Sequence, residues 1–457
     1  MATRHLTIEL VRQWIEQKVD TREFFWVLLS HVVLDCPICD MAWREGSRGR
    51  VPGRGLFAEL QHKYSQEGMS GEDAIAKTIA LVLSMKDDVL QSVSDELMEK
   101  RLQELLRLPM DEAIEAVGKS RTKFVHPRLA EKLLLRCEVA YGTTSEEMAD
   151  SAERAELVAL RARELKKEWQ PFATDLHALA MTLQANALRL QGKYAEANDR
   201  LDFARRILDE GSGDPIVFAD LSFYRASLLL DQYKHEDAIR EAKLAVRVYG
   251  KCGEEHKAGK ALMKLSLIHS EAGNAQQAVE VLQTATQNLD FSKEPRLEIL
   301  VHENLALYLA EAGDPAKALE VLGQHPLDPR RNRRSLLKRD WIEARIQTAL
   351  GETVEAGATL ANIREEFAEV GDAVSTALVS LDLALIFVEK GMAQQVKQLA
   401  EETLPLLQPM AIPQEIWAAL FLFKQAADAE EVTDAVIESV REVVEDRRKW
   451  RVEVLEN

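Results

Sequence analysis

From about residue 180 onward, apolar side chains recur at helical spacing, as in Leu188, Leu201 and Ile207, and the recurrence comes in blocks. Residues 185–204 read ANALRLQGKYAEANDRLDFA, 226–245 read ASLLLDQYKHEDAIREAKLA, 266–285 read SLIHSEAGNAQQAVEVLQTA, and 306–325 read ALYLAEAGDPAKALEVLGQH. Two weaker copies follow at 344–363 (ARIQTALGETVEAGATLANI) and 384–403 (ALIFVEKGMAQQVKQLAEET). Their starting points step by 41, 40, 40, 38 and 40 residues. Each block predicts two helices joined by a tight turn.

The register within the blocks is constant. A small residue (Ala185, Ala226, Ser266, Ala306, Ala344, Ala384) precedes a turn residue by seven positions. The turn is Gly192, Gly273, Gly313, Gly351 and Gly391, with Tyr233 as the exception. Five positions later comes a second small side chain (Ala197, Ala238, Ala278, Ala318, Ala356), replaced by Val396 in the last copy. Small residues let two antiparallel helices approach closely, and a glycine ends the first helix in a left-handed conformation. One such hairpin cannot bury its apolar face alone, so the pattern requires stacking.

These blocks resemble tetratricopeptide repeats over roughly residues 175–410, most specifically at Gly192-Lys193-Tyr194-Ala195-Glu196-Ala197. The step exceeds the usual repeat of about 34 residues. Extended helices or longer connections, as at Gly211–Pro215 and Phe291–Pro295, account for the excess. A less regular hairpin is expected before the array (129–140, then 146–166) and a capping one after it (415–427, then 430–449). The resemblance implies a right-handed solenoid whose first helices line a concave groove. Mapped onto this chain, the groove positions are Asn186, Arg189, Phe223, Ser227, Lys260, Met263, Glu303, Lys338, Trp341 and Arg345. Such a mixture suits an extended peptide or a partner helix. The basic run Arg330-Arg331-Asn332-Arg333-Arg334 reads as a solvated inter-repeat loop or, alternatively, a lure for an acidic partner. Trp341 beside it reads as core more than as anchor.

Ahead of the array, residues 71–128 form a connector with amphipathic periodicity: Ile75, Ile79, Leu81 and Leu83, then Val89, Val93, Leu97 and Leu102. Residues 46–70 read as a flexible basic linker because of the stretch GSRGRVPGRG at 46–55. The first 45 residues carry the sharpest chemistry: His5, His31, Cys36 and Cys39. Twenty-five residues separate the histidines, four separate His31 from Cys36, and two separate the cysteines. A Cys-x-x-Cys pair opening a helix places both sulfurs on one side of its first turn, where the dipole favours thiolate. Asp35 suits the cap and Pro37 the first turn. With the histidines they form an N₂S₂ shell for zinc with no open position, a structural site. No βαβ pattern surrounds the motif, which argues against a thioredoxin-like redox role. The arrangement resembles the zinc-binding anti-sigma domain, with His5 where Cys is common and four residues where three usually stand. That resemblance implies a module that binds a sigma factor and hides it from polymerase.

Composition narrows the classes. The 457 residues carry 58 Lys and Arg against 76 Asp and Glu, a formal charge of −18, which argues against direct nucleic-acid binding. With 21 Gly and 13 Pro, the chain has too few turn residues for a many-stranded sandwich or barrel. Four unevenly placed cysteines do not form a disulfide scaffold; Cys137 and Cys252 read as incidental thiols in a reducing compartment. The N-terminus lacks a signal-peptide pattern, and the longest apolar stretches (26–30 and 418–423) fall short of the roughly 18 residues of a membrane span. No phosphate loop, G-x-S-x-G, H-E-x-x-H or dinucleotide fingerprint occurs.

The sequence thus predicts an all-α protein: a zinc module over 1–45, a linker over 46–70, a connector over 71–128 and a tetratricopeptide-like solenoid over 129–452. It predicts a non-enzymatic, cytoplasmic, bacterial protein-binding adaptor without membrane contact. Two alternatives stand beside that expectation: an anti-sigma factor, and a helical scaffold in which zinc only supports the fold.

Overall fold

The computed structural model describes residues 94–139, 144–324, 333–407 and 414–446. Among them are eighteen α-helices and no strand. The chain divides into two compact units, Met1–Ala261 and Leu262–Asn457, with the division inside one helix. The proposed zinc module, the linker and the apolar positions from Ile75 to Val93 lie outside the described residues.

The first unit contains α1 (Asp95–Leu106), α2 (Met110–Lys119), α3 (Pro127–Val139), α4 (Ser145–Leu165) and α5 (Gln170–Leu190). It continues with α6 (Tyr194–Leu208), α7 (Pro215–Asp231) and α8 (His235–Lys251). The division falls in α9 (Glu255–Glu271). Local chemistry sets where these helices begin. Ser94 accepts the amide of Leu97 at 3.4 Å, and Asp214 accepts that of Ile216 at 2.9 Å ahead of Pro215. Thr144 and Glu147 form a reciprocal capping box. Helices α1 and α2 share one core with α3, α4 and α5, built on Met98, Leu102, Leu105, Leu129, Leu133, Val158 and Leu183. Leu97, in the predicted periodic set, is instead exposed.

Helix α5 is the centre of this unit. It packs on α3, α4, α6 and α7, and most of its residues are buried, polar ones included. A helix buried all round must satisfy its polar side chains from neighbouring elements.

The second unit contains α10 (Ala275–Asn288), α11 (Arg296–Glu311), α12 (Pro315–Gln324), α13 (Arg333–Ala349) and α14 (Thr353–Glu369). Four more follow: α15 (Ala373–Glu389), α16 (Ala393–Leu407), α17 (Gln414–Asp428) and α18 (Asp434–Asp446). Its largest apolar cluster runs from Leu337 and Trp341 through Phe367, Leu381 and Phe423 to Val444. Helix α15 is buried nearly all round and packs on α13, α14, α16 and α18. Asp372 caps its start, accepting the Ser375 amide at 3.1 Å.

The closures repeat one geometry. Gly192, Gly273, Gly313, Gly351 and Gly391 all have positive φ, between 65° and 89°. Tyr233 takes the same left-handed position at 57°. The following amide bonds back across six residues: Lys193 to Leu188 O, Lys234 to Leu229 O and Asn274 to His269 O, at 2.8–2.9 Å. This satisfies carbonyls that a helix end leaves open. Ala185, Ala226, Ser266, Ala306, Ala344 and Ala384 are all buried, as are the partners Ala197 to Val396. The step of 40 residues comes from long helices: α7 and α8 have 17 residues each, and each is followed by a three-residue join. A seventh copy ends α17 at Glu430, whose φ is 57°.

Candidate interaction surface

His5, His31, Cys36 and Cys39 lie outside the described residues. Among the described residues no group of three or more His, Cys, Asp or Glu side chains is placed to hold a metal ion. Cys137 is buried, its Sγ donating to Leu133 O at 3.5 Å. Cys252 is half-buried, and burial pushes its thiol up to about 11, so it carries no thiolate near neutrality.

In the first unit the expected groove positions lead into the polar network around α5. Asn186 and Arg189 are buried. Arg189 Nε donates to Asn186 Oδ1 at 2.9 Å, and its Nη1 donates to Asp231 Oδ2 of α7 at 2.8 Å. Ser227 is buried, its hydroxyl donating to Phe223 O at 3.4 Å. Phe223 is half-buried and meets the Tyr224 ring edge-on with centroids 5.3 Å apart. Lys260 is half-buried on α9.

Several groups absent from the expected set complete this network. Glu156 of α4 lies 3.2 Å from His177 Nε2 and accepts Gln184 Nε2 at 2.7 Å. Burial alone would push this carboxyl up; the bonds from His177 and Gln184 hold it below its usual range. Asp175 accepts the amide of Ser212 at 3.1 Å and also its hydroxyl. A Cβ on Gly211 would stand 2.0 Å from Asp175 Oδ1, so any larger residue there would force Asp175 to shift. Asp220 accepts Tyr249 Oη at 2.6 Å and Lys257 Nζ at 2.9 Å. Arg205 lies over the Phe218 ring at 4.5 Å, and burial lowers its guanidinium to about 9.

In the second unit Met263 and Glu303 are buried and Lys338 is half-buried. Arg345 lies 3.5 Å from Glu311. Trp341 is 4% exposed, and its Nε1 donates to Asp382 Oδ2 at 2.5 Å. Asp382 of α15 accepts its second bond at Oδ1 from Arg441 of α18. Burial would raise the Asp382 carboxyl, but Arg441, Arg345 and the two hydrogen bonds hold it below the usual carboxylate range. Of the basic run, Arg333 and Arg334 are described. Arg333 pairs with Glu366 at 3.0 Å, and Arg334 pairs with Asp372 at 2.7 Å.

One signal for Asp382 was present: a single acid in the apolar stretch ALVSLDLALIF. Its partner lies 59 residues away and leaves no local pattern.

The described chain is thus an all-α protein of consecutively packed helices. No family model and no curated protein matches it. No described helix is long and apolar enough to cross a membrane.

Proposed function

We propose that this protein is a non-enzymatic adaptor that binds protein partners through its helical hairpins. The fold reading behind it is a right-handed tetratricopeptide-like solenoid. The observation that carries this reading is the recurrence of one closure register along the chain, at Gly192, Tyr233, Gly273, Gly313, Gly351 and Gly391. Repeated helix pairs recognise partners over a run of equivalent positions. The N-terminal residues His5, His31, Cys36 and Cys39 hold a structural zinc, and that module docks or restrains a second protein.

Affinity capture with the full-length protein tests the adaptor reading. A partner should bind, and replacing Lys260, Lys338 and Arg345 together by Glu should abolish its capture. These three are the half-buried cations among the expected groove positions. Undiminished capture of every partner by the triple variant would place recognition elsewhere. Metal analysis of the purified protein should find stoichiometric zinc, lost in Cys36→Ser and in His31→Ala.

The spacing of His31, Cys36 and Cys39 favours a second reading, an anti-sigma factor in a bacterial cytoplasm. In that case the full-length protein inhibits transcription by one sigma factor, and Cys36→Ser relieves the inhibition. A reconstituted transcription assay separates the two.

A further inference from the structure

Six hairpins bury the side chain five positions after the turn residue; the seventh does not. The earlier closures leave one residue between the turn and the next helix, as Lys193 does after Gly192. After Glu430 there are three, Glu431, Val432 and Thr433. Ala435 is consequently exposed, and the buried edge of α18 is Ile437, Val440, Arg441 and Val444. That spacing of i, i+3, i+4 and i+7 is how an amphipathic helix lies in a groove.

What α18 lies against is also distinctive. Along this unit, first helices of hairpins pack on one another, α13 on α11 and α15 on α13. At α15 the second helix of the last hairpin joins them. Its three aliphatic side chains enter the cluster of Leu378, Leu381 and Phe423. Its guanidinium reaches Asp382, whose other oxygen is held by Trp341 of α13. The buried carboxylate makes the seat selective, because an occupant without a cation leaves that charge uncompensated.

We propose that the α13–α15 face around Trp341 and Asp382 is a docking site for an amphipathic partner helix carrying three aliphatic residues and an arginine at that spacing. Helix α18 is its resident occupant and is displaced when the partner binds, a step that rests on the adaptor reading above. The tether suits release. The connection is two residues longer than in the other hairpins, and Glu430, like Tyr233, holds a left-handed conformation unfavourable for a residue with a Cβ.

Two measurements on the full-length chain test this. In hydrogen exchange, α18 amides should lose protection at least about tenfold faster than those of α15, through an opening that leaves α15 closed. Arg441→Ala should accelerate α18 further and leave α15 unchanged. If α15 and α18 open together, α18 is an integral part of the unit and the proposal fails. The second probe is a labelled peptide of residues 434–446. It should bind full-length Arg441→Ala about tenfold or more tighter than wild type, and lose that affinity when its own arginine is replaced by Ala. Equal binding to both proteins, or indifference to the peptide's arginine, overturns the proposal. Should Arg441→Ala not fold, wild-type exchange decides alone. The adaptor reading fails by loss of cellular partners, which neither measurement involves, so the two failures are distinguishable.

Discussion

Helices α5 and α15 are the most deeply buried helices of their respective units, yet they are held in opposite ways. Helix α5 carries Thr174, Asp175, His177, Gln184, Asn186 and Arg189 in its buried surface, with partners spread over α4, α7 and the loop at Ser212. Helix α15 is apolar along most of its length, and beyond its capped first turn its one buried acid, Asp382, takes both its bonds from α13 and α18. The first helix is specified by many moderate polar contacts. The second is specified by one concentrated charge in an oily setting. Losing one contact should therefore be absorbed at α5, whereas losing Asp382 itself should be felt throughout α15.

Asp382→Ala breaks the comparison most severely. It leaves Arg441 and Trp341 Nε1 without their acceptor and should lower stability by about 3–5 kcal/mol, read as a fall in the denaturant midpoint. Adding Arg441→Met should restore most of the loss, since a well-packed apolar pair replaces a buried ionic one at little cost.

Acid should separate the two units. His126 packs edge-on against Trp169, and its Nδ1 accepts the Arg128 amide at 3.2 Å, a cap that needs the neutral ring. Burial lowers its pKa from 6.5 to about 4. The unfolded chain thus binds the extra proton first, so the first unit loses stability as pH falls from about 6.5 to 4, by at most about 3 kcal/mol. Asp382 behaves differently. Its folded pKa is depressed, so its contribution is complete above its unfolded value near 4 and fades only below that. Hydrogen exchange at pH 7, 5 and 4 should show α3 and α5 loosening before α15. His126→Asn, which keeps a capping acceptor, should remove the early phase.

Gly211→Ala sharpens the contrast on the α5 side. The new methyl meets Asp175 and forces a shift that should lower stability by about 1–3 kcal/mol, measured by urea unfolding. The smallest expected effect has the opposite sign. Glu430→Gly relieves a left-handed residue and should stabilise the last hairpin by about 0.5–1 kcal/mol, seen as slower exchange in α18.

The hairpins were legible because their signal is local: a turn residue and two small side chains within twelve positions fix both helix ends. The last hairpin was expected at 415–427 and 430–449, but its register was not, because the inserted residues after Glu430 move the buried edge from Ala435 to Ile437. Helices α1 and α2 were expected in a connector, yet they share a core with α3 to α5, and periodicity within a helix does not say which neighbour it will meet. The same limit applies to the expected groove. Asn186, Arg189, Ser227, Met263, Glu303 and Trp341 sit on first helices and are buried there. A residue's position within its own helix does not reveal what covers it. The Asp382–Arg441 pair was invisible for the same reason, with its halves on helices that no local pattern joins.

The join between α8 and α9 is built like the turns inside hairpins: Gly253 is left-handed, and the Glu254 amide bonds to Tyr249 O at 2.9 Å. The join between α14 and α15 does the same with Gly371 and the Asp372 amide. At these two joins the chain passes from one hairpin to the next with the same stop signal it uses inside a hairpin, so a single junction design serves both positions.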